Sequence, residues 1–261
     1  MTQHLLPKFT HILARRPALN FADGLTTAEL GIPDYAKATE QYESYLQALR
    51  DCGLSVTVLD ADDRFPDGHF VEDPVIVYKN LAFLCRSGAR ERREEAQSLL
   101  PHLANFDVIN IDNDSAFIDG GDVLFCAERV LVGQSERTNQ AGADALCRAL
   151  QTVKSDIRVD TVPFSGVLHL KSGITELAPN VLVCDPAFKT DYSFDWAELI
   201  TLPAEEGAGA DVMPINDTIF IVEGYPRLRK VAEKYYDRIV ALNMSEFQKM
   251  DGALTCLSLR Y

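Results

Sequence analysis

The stretch FIDGGDVLFCAERVLVG, residues 117–133, contains an acid and two glycines, the short apolar run Val123-Leu124-Phe125, a polar turn at Ala127-Glu128-Arg129, and the second apolar run Val130-Leu131-Val132. Two such runs about a short polar turn read as a β-hairpin. The residues that follow, QSERTNQAGADAL (134–146), have helix-like spacing. The same order recurs from Phe70, with its turn at Lys79-Asn80, and from Ala210, with its turn at Asn216-Asp217. Each helix-like segment then leads into a further apolar run, at Phe106–Ile109, Ile157–Val159 and Ile239–Leu242. A fourth copy is visible in GITELAPNVLVCD, turning at Ala178-Pro179-Asn180, with a poor helix carried at most by Asp195–Leu199.

The two ends of the chain supply the remaining pieces. Residues 34–52 place Tyr35, Ala38, Tyr42, Tyr45, Leu46 and Leu49 at helical spacing, with Asp34 as N-cap and Gly53 as the stop. The run Leu54–Leu59 follows. If the run Leu254–Leu259, with Cys256 in a last strand, pairs with His11–Ala14, a fifth unit is completed and the ring closes. Repeats of roughly 40–50 residues that each hold a few strands point to a radial architecture, and a closed ring leaves no exposed sheet edge. The competing reading is an ordinary mixed α/β sheet. No Pro/Gly/Ser-rich linker divides the chain, so a single domain over residues 1–261 is expected.

Lys plus Arg number 25 against 39 Asp plus Glu, a formal charge of −14. Such an acidic chain disfavours nucleic acid and anionic membranes as partners. No apolar run reaches the length of a membrane span. The first residues, broken by Pro7, Lys8 and Arg15-Arg16, do not read as a secretory signal. The six cysteines, at 52, 85, 126, 147, 184 and 256, form no CxxC pair; they read as free thiols in a reducing compartment, hence a cytoplasmic setting. No Cys/His set has zinc spacing, and Gly120-Gly121 lacks the rest of a dinucleotide fingerprint.

Three residues invite a chemical reading, each with a plain alternative. Asp119 is a turn acid, or a side chain that two glycines let reach the ring centre; Glu72-Asp73-Pro74 opens the equivalent strand one unit earlier. His169, between Leu168 and Leu170 in an extended run, is a satisfied core histidine or a base. His4, His11, His69 and His102 have less suggestive settings. Cys256 taken alone is a buried structural thiol. Together the three supply a nucleophile, a base and an orienting carboxylate from three different units.

The motifs FPDGHFVEDPV with RSGARERRE, DGGDVLF with VGQSERTNQAGA, VLHLKSG, and SEFQKMDGALTCLSLRY closely resemble those of the dimethylarginine dimethylaminohydrolases, within the guanidino-group-modifying (pentein) superfamily. The resemblance runs over essentially the whole chain. It implies a five-bladed α/β propeller of ββαβ units. It also implies catalytic roles for Cys256, His169 and Asp119, and binding of the substrate's α-carboxylate by Arg92 and Arg137. Asp67 and the Leu25 carbonyl would take the α-ammonium group and Asp73 the guanidinium. Glu72 would support Asp73, and Met250 and Asp251 would line the pocket.

The implied reaction converts Nω-methylated L-arginine to L-citrulline and a methylamine through a Cys thiouronium, with no cofactor and no metal. The shorter Asp119, where some members carry glutamate, and the stretch GAGADVMPIN depart from the family pattern and bear on substrate preference. An arginine deiminase or amidinotransferase of the same superfamily is the nearest alternative, although those enzymes are larger. A non-catalytic propeller that binds a partner is the alternative of another class. The expected partner is a small-molecule substrate, the oligomer is a monomer or homodimer, and Pro17–Leu30 is the expected lid.

Overall fold

Four hairpins form where turn chemistry marks them in the computed structural model, which describes residues 8–261; His4 lies outside that range. They are β3 (Val75–Tyr78) with β4 (Leu81–Leu84), β6 (Val123–Phe125) with β7 (Val130–Gln134), β9 (Ile174–Ala178) with β10 (Val181–Cys184), and β12 (Met213–Ile215) with β13 (Thr218–Val222). Lys79, Asn180 and Asn216 turn three of them with φ of 54°, 59° and 54°. That left-handed backbone suits asparagine and is tolerated in tight hairpin turns.

The second strand of each hairpin pairs in parallel with a third: β4 with β5 (Asp107–Asn110), β7 with β8 (Val159–Pro163), β10 with β11 (Glu198–Thr201), β13 with β14 (Arg238–Leu242). A parallel partner requires a crossover. Helices α2 (Glu95–Leu99), α3 (Gln140–Val153) and α5 (Pro226–Ala232) provide three of these.

The fifth sheet joins the two ends of the chain. In it β1 (His11–Arg15) pairs in parallel with β2 (Ser55–Leu59) and antiparallel with β15 (Leu259–Arg260). The crossover is α1 (Tyr35–Asp51), capped by Asp34 Oδ1 accepting from the Lys37 N–H at 3.0 Å and ended at Gly53, φ +81°. Its buried face is Ala38, Tyr42, Tyr45, Leu46 and Leu49, the spacing the sequence shows. The structure is thus the five-unit α/β propeller expected. Apolar side chains of neighbouring elements fill five separate core clusters among the described residues.

Three local expectations are corrected. Asp195–Leu199 forms no helix, and Glu198 and Leu199 instead begin β11; Trp196 lies against Phe194 and under the Arg129 guanidinium, 4.1 Å from its ring centre. The fourth unit therefore lacks the helix of a ββαβ repeat. His169 has extended backbone but immediately precedes the short helix α4 (Leu170–Gly173) rather than lying within a strand. Cys256 is not in a strand either: Thr255–Leu257 is a single 3₁₀ turn. The reason is Arg260, whose Nη1 donates to the carbonyls of Thr255 (2.8 Å) and Ser258 (2.9 Å), groups a strand would send to a neighbour. Only Leu259–Arg260 continues as strand.

The inner strands of all five units line an axial cavity of about 430 Å³. Glu72, Lys171 and Arg260 lie across it, with Lys171 Nζ 2.7 Å from Glu72 Oε1 and Arg260 Nη2 paired to the same oxygen. Asp119, His169 and Cys256 do not line this cavity.

Candidate active site

Each chemical side chain is placed by a local device of its own unit. Asn139 caps α3 through Oδ1, which accepts from the Gly142 N–H (3.0 Å) and also from the Phe117 N–H (3.1 Å). The Asp119 N–H donates to Thr138 Oγ1 at 3.0 Å, so the start of a helix fixes the acid that precedes β6. Asp119 is fully buried. Its Oδ2 lies 3.2 Å from His169 Nε2 and 3.8 Å from Arg137 Nη1, and its Oδ1 has no partner.

His169 is aimed by the helix it precedes: the Leu170 N–H donates to Asp122 Oδ1 at 2.9 Å, and Asp122 Oδ2 accepts from Ser135 Oγ at 2.6 Å. Asp122 gave no signal in the sequence beyond following the two glycines.

Asp73 sits between the remaining groups. Its Oδ1 accepts from the Gly121 N–H (3.1 Å) and its Oδ2 from Arg92 Nη1 (2.6 Å). A Cβ on Gly121 would lie 2.6 Å from His169 Nδ1 and 2.8 Å from Asp73 Oδ1, so imidazole and carboxylate meet over a backbone that only glycine leaves open. Arg92 is buried, and its Nε and Nη2 are taken by Glu95, at 2.8 Å for the closest contact. Asp67 is buried beside it, its Oδ2 accepting from the Leu25 N–H at 3.0 Å and its Oδ1 unpartnered.

Asp251, φ +56°, accepts from Thr26 Oγ1 (3.1 Å) and Thr27 Oγ1 (3.0 Å) and from the Thr27 N–H, tethering the segment that carries Leu25. Met250 is buried in the apolar cluster that holds Phe21 and Phe247. Glu72 reaches the Cys256 turn through its backbone, the N–H donating to the Cys256 carbonyl at 3.2 Å. Its side chain points to Lys171 and Arg260, neither of which the sequence marked.

The charges of this set are mutually dependent. Burial opposes a cationic His169, but Asp73, Asp119 and Asp122 outweigh it and raise the imidazole to about 9. Burial likewise opposes an ionised Asp73, yet Arg92 and His169 hold it below the usual carboxylate range. Burial pushes the Cys256 thiol up, and the carboxylates of Asp73, Asp211 and Glu72 push it further. The resting site is therefore a neutral thiol and an imidazolium that both feel the Asp73 carboxylate. By contrast His69, packed against Phe70 and Phe21, is pulled down to about 3 by burial and stays neutral.

Because His169 titrates at about 9 in the fold against 6.5 for the free side chain, its contribution to stability is fully present below about pH 6.5 and is lost as pH rises through about 9. His169→Gln is expected to lower the melting temperature at pH 6 and to have little effect above pH 10. The difference is at most about 3 kcal/mol. Thermal melts of both proteins across this range would read it, and a gap that widened at alkaline pH would refute the assignment.

Five three-stranded units around one axis, with a buried Asp119–His169 pair and Asp73 acting on both His169 and Cys256, define the pentein class of α/β propeller. A family model described as N,N dimethylarginine dimethylhydrolase, eukaryotic, matches residues 33–184. A dimethylarginine dimethylaminohydrolase of Pseudomonas aeruginosa is 36% identical over 97% of this chain and 100% of its own length; one of Streptomyces coelicolor is 34% identical over 95% of each. The solved structure of the Pseudomonas aeruginosa protein, a cysteine-to-serine mutant complexed with citrulline, superimposes with a TM-score of 0.90 at 34% identity, covering 98% of this chain and 100% of that one. The N-terminal domain of a cyanobacterial arginine dihydrolase, 20% identical with a TM-score of 0.84 over 97% of each chain, shares the fold. The chain belongs to the dimethylarginine dimethylaminohydrolase family.

Proposed function

We propose that this chain hydrolyses Nω-methylated L-arginine to L-citrulline and methylamine or dimethylamine, with Cys256 as nucleophile. The observation that carries the reading is the placement of two buried carboxylates, Asp73 and Asp119, about one imidazole, with Asp119 Oδ2 3.2 Å from His169 Nε2. The activity named for its relatives supports the same reading.

A guanidinium is planar, cationic and a poor electrophile. Asp73 and Asp119 would hold it flat by charge-assisted hydrogen bonds, so that proximity replaces intrinsic reactivity. Its positive charge offsets the carboxylates that keep the Cys256 thiol protonated, so binding favours the thiolate and the thiol proton passes to solvent. The sulfur adds to the central carbon, and the C–N bond to the methylated nitrogen breaks as cationic His169 donates its proton to the leaving amine. A water then gives a proton to the neutral imidazole and adds to the thiouronium carbon. The C–S bond breaks as the added hydroxyl passes its proton to sulfur, releasing citrulline and returning the thiol beside a protonated His169.

Arg92 now spends Nη1 on Asp73. A zwitterionic amino acid brings a partner for each: its carboxylate for Arg92 and Arg137, its guanidinium for Asp73. Asp67, whose Oδ1 has no partner, and the Leu25 carbonyl would receive the α-ammonium group. Asp251 would hold that segment over the bound substrate through Thr26 and Thr27, with Met250 packed beneath. No helix among the described residues is long and apolar enough to cross a membrane. Free cysteines throughout accord with a cytoplasmic setting.

Citrulline and released amine measured side by side for asymmetric dimethylarginine, monomethylarginine and arginine test the reading. The methylated substrates are expected to give the higher kcat/KM. Preference for arginine would make the chain a deiminase, and no turnover of any of the three would leave a binding protein.

A further inference from the structure

Asp211, just before β12, is used by no step above, yet it is 5% exposed and directed at the nucleophile's turn. Its Oδ2 accepts from the backbone N–H of Thr255, the residue before Cys256, at 3.4 Å, and its Oδ1 has no partner. The backbone on either side of it is pinned to one hydroxyl of β9: Thr175 Oγ1 donates to the Ala210 carbonyl at 2.5 Å and accepts from the Val212 N–H at 3.2 Å. The backbone that carries the carboxyl therefore cannot retreat from the turn without breaking both bonds. An unpartnered, nearly buried carboxyl oxygen is a costly feature to retain in a core.

We infer that Asp211 is a positioning residue: its carboxyl holds the Thr255–Cys256 turn, and its charge state governs how readily the Cys256 thiol ionises. The inference rests on Cys256 being the nucleophile proposed above.

The surroundings set the direction of the effect. Glu72, from the segment before β3, adds a negative charge on one side, while Lys171 from α4 and Arg260 from β15 both pair with Glu72. Tyr45 of α1, which also feels Asp211, is itself pushed up by burial. Burial, then Glu72, raises Asp211 to about 7. Near neutrality it thus exchanges a proton while His169 remains charged. Protonated Asp211 leaves the thiol opposed by Asp73 and Glu72; ionised Asp211 adds a third negative charge and holds the proton on sulfur.

Alkylation by iodoacetamide reads thiol ionisation directly, whether or not methylated arginine is turned over. Trypsin releases Cys256 in the peptide Met250–Arg260, which separates it from the other five cysteines. Asp211→Asn keeps an oxygen to accept from Thr255 and removes the charge. We expect Cys256 in this variant to alkylate roughly tenfold faster than wild type at about pH 8.5, and at a similar rate at about pH 5.5, where both side chains are neutral. Coincident pH profiles, or slower alkylation of the variant throughout, overturn the inference.

The unaltered protein carries a second check that does not depend on a variant folding. Its alkylation rate should rise less steeply above about pH 7 than a lone thiol's, because Asp211 ionises first. A single unbroken slope through that region counts against the inference equally.

Discussion

Cys256→Ser is expected to yield a folded protein whose kcat is lower by at least about 10⁴-fold. Serine fits the site: the turn Thr255–Leu257 is held by Arg260 through two carbonyls and by Glu72 through the Cys256 carbonyl, none of which involves the sulfur. The loss is chemical. A hydroxyl is far harder to ionise than a thiol, and the nearby imidazole, raised to about 9, is already protonated at neutral pH and cannot act as its base. Far-ultraviolet circular dichroism and the melting temperature should match wild type while citrulline production vanishes. Cys85 is the informative control, since it is buried and near enough to Asp119 and Asp73 to feel both, and burial raises its thiol well above the ordinary range. Cys85→Ser should keep turnover. If the two variants behaved the other way round, the nucleophile would have been misassigned.

Gly121→Ala should lower kcat by about 10²-fold with only a modest loss of stability. The added Cβ would stand 2.6 Å from His169 Nδ1 and 2.8 Å from Asp73 Oδ1. Neither neighbour is a free end: His169 is held to Asp119 and Asp73 to Arg92. Relief requires the imidazole and the carboxylate to part by several tenths of an ångström, and the acid and the substrate clamp lose their alignment together. Overpacking of this kind costs about 1–3 kcal/mol, a few degrees in melting temperature. Steady-state kinetics beside a thermal melt separate the two effects. A kcat within twofold of wild type would show that the site tolerates the shift and that close approach is not essential to its geometry.

How much of this was legible follows from the range over which each feature is specified. Hairpin turns are local, and Lys79-Asn80, Pro179-Asn180 and Asn216-Asp217 mark three of them within a few residues. Helix α1 is equally plain, with its cap, its apolar face and its glycine stop in one continuous segment. The failures were also local patterns, overridden from elsewhere. Apolar alternation in ALTCLSL suggested a strand, but the guanidinium of Arg260 satisfies the Thr255 and Ser258 carbonyls and turns the chain at Cys256. His169 looked mid-strand until Asp122, from another unit, capped the helix beginning at Leu170. The helical reading of Asp195–Leu199 gave way to the Trp196 ring under Arg129 and pairing with β10.

By itself the sequence determined the repeating hairpins, their order, the crossover helices of most units and, through motifs, the residues of the candidate site. Each depends on interactions within about 50 residues, where turn chemistry and burial period leave a direct trace. Tertiary structure alone decided which charges meet. Glu72 between Lys171 and Arg260, and Asp73 beside His169, are joined by ring closure across units that are distant in the chain, while Asp211 against Thr255 and Asp73 against Gly121 join neighbouring units through side chains that no hairpin or helix pattern marks. Ionisation at Cys256 depends on that sum of buried charges, and no local pattern records a sum taken over five units.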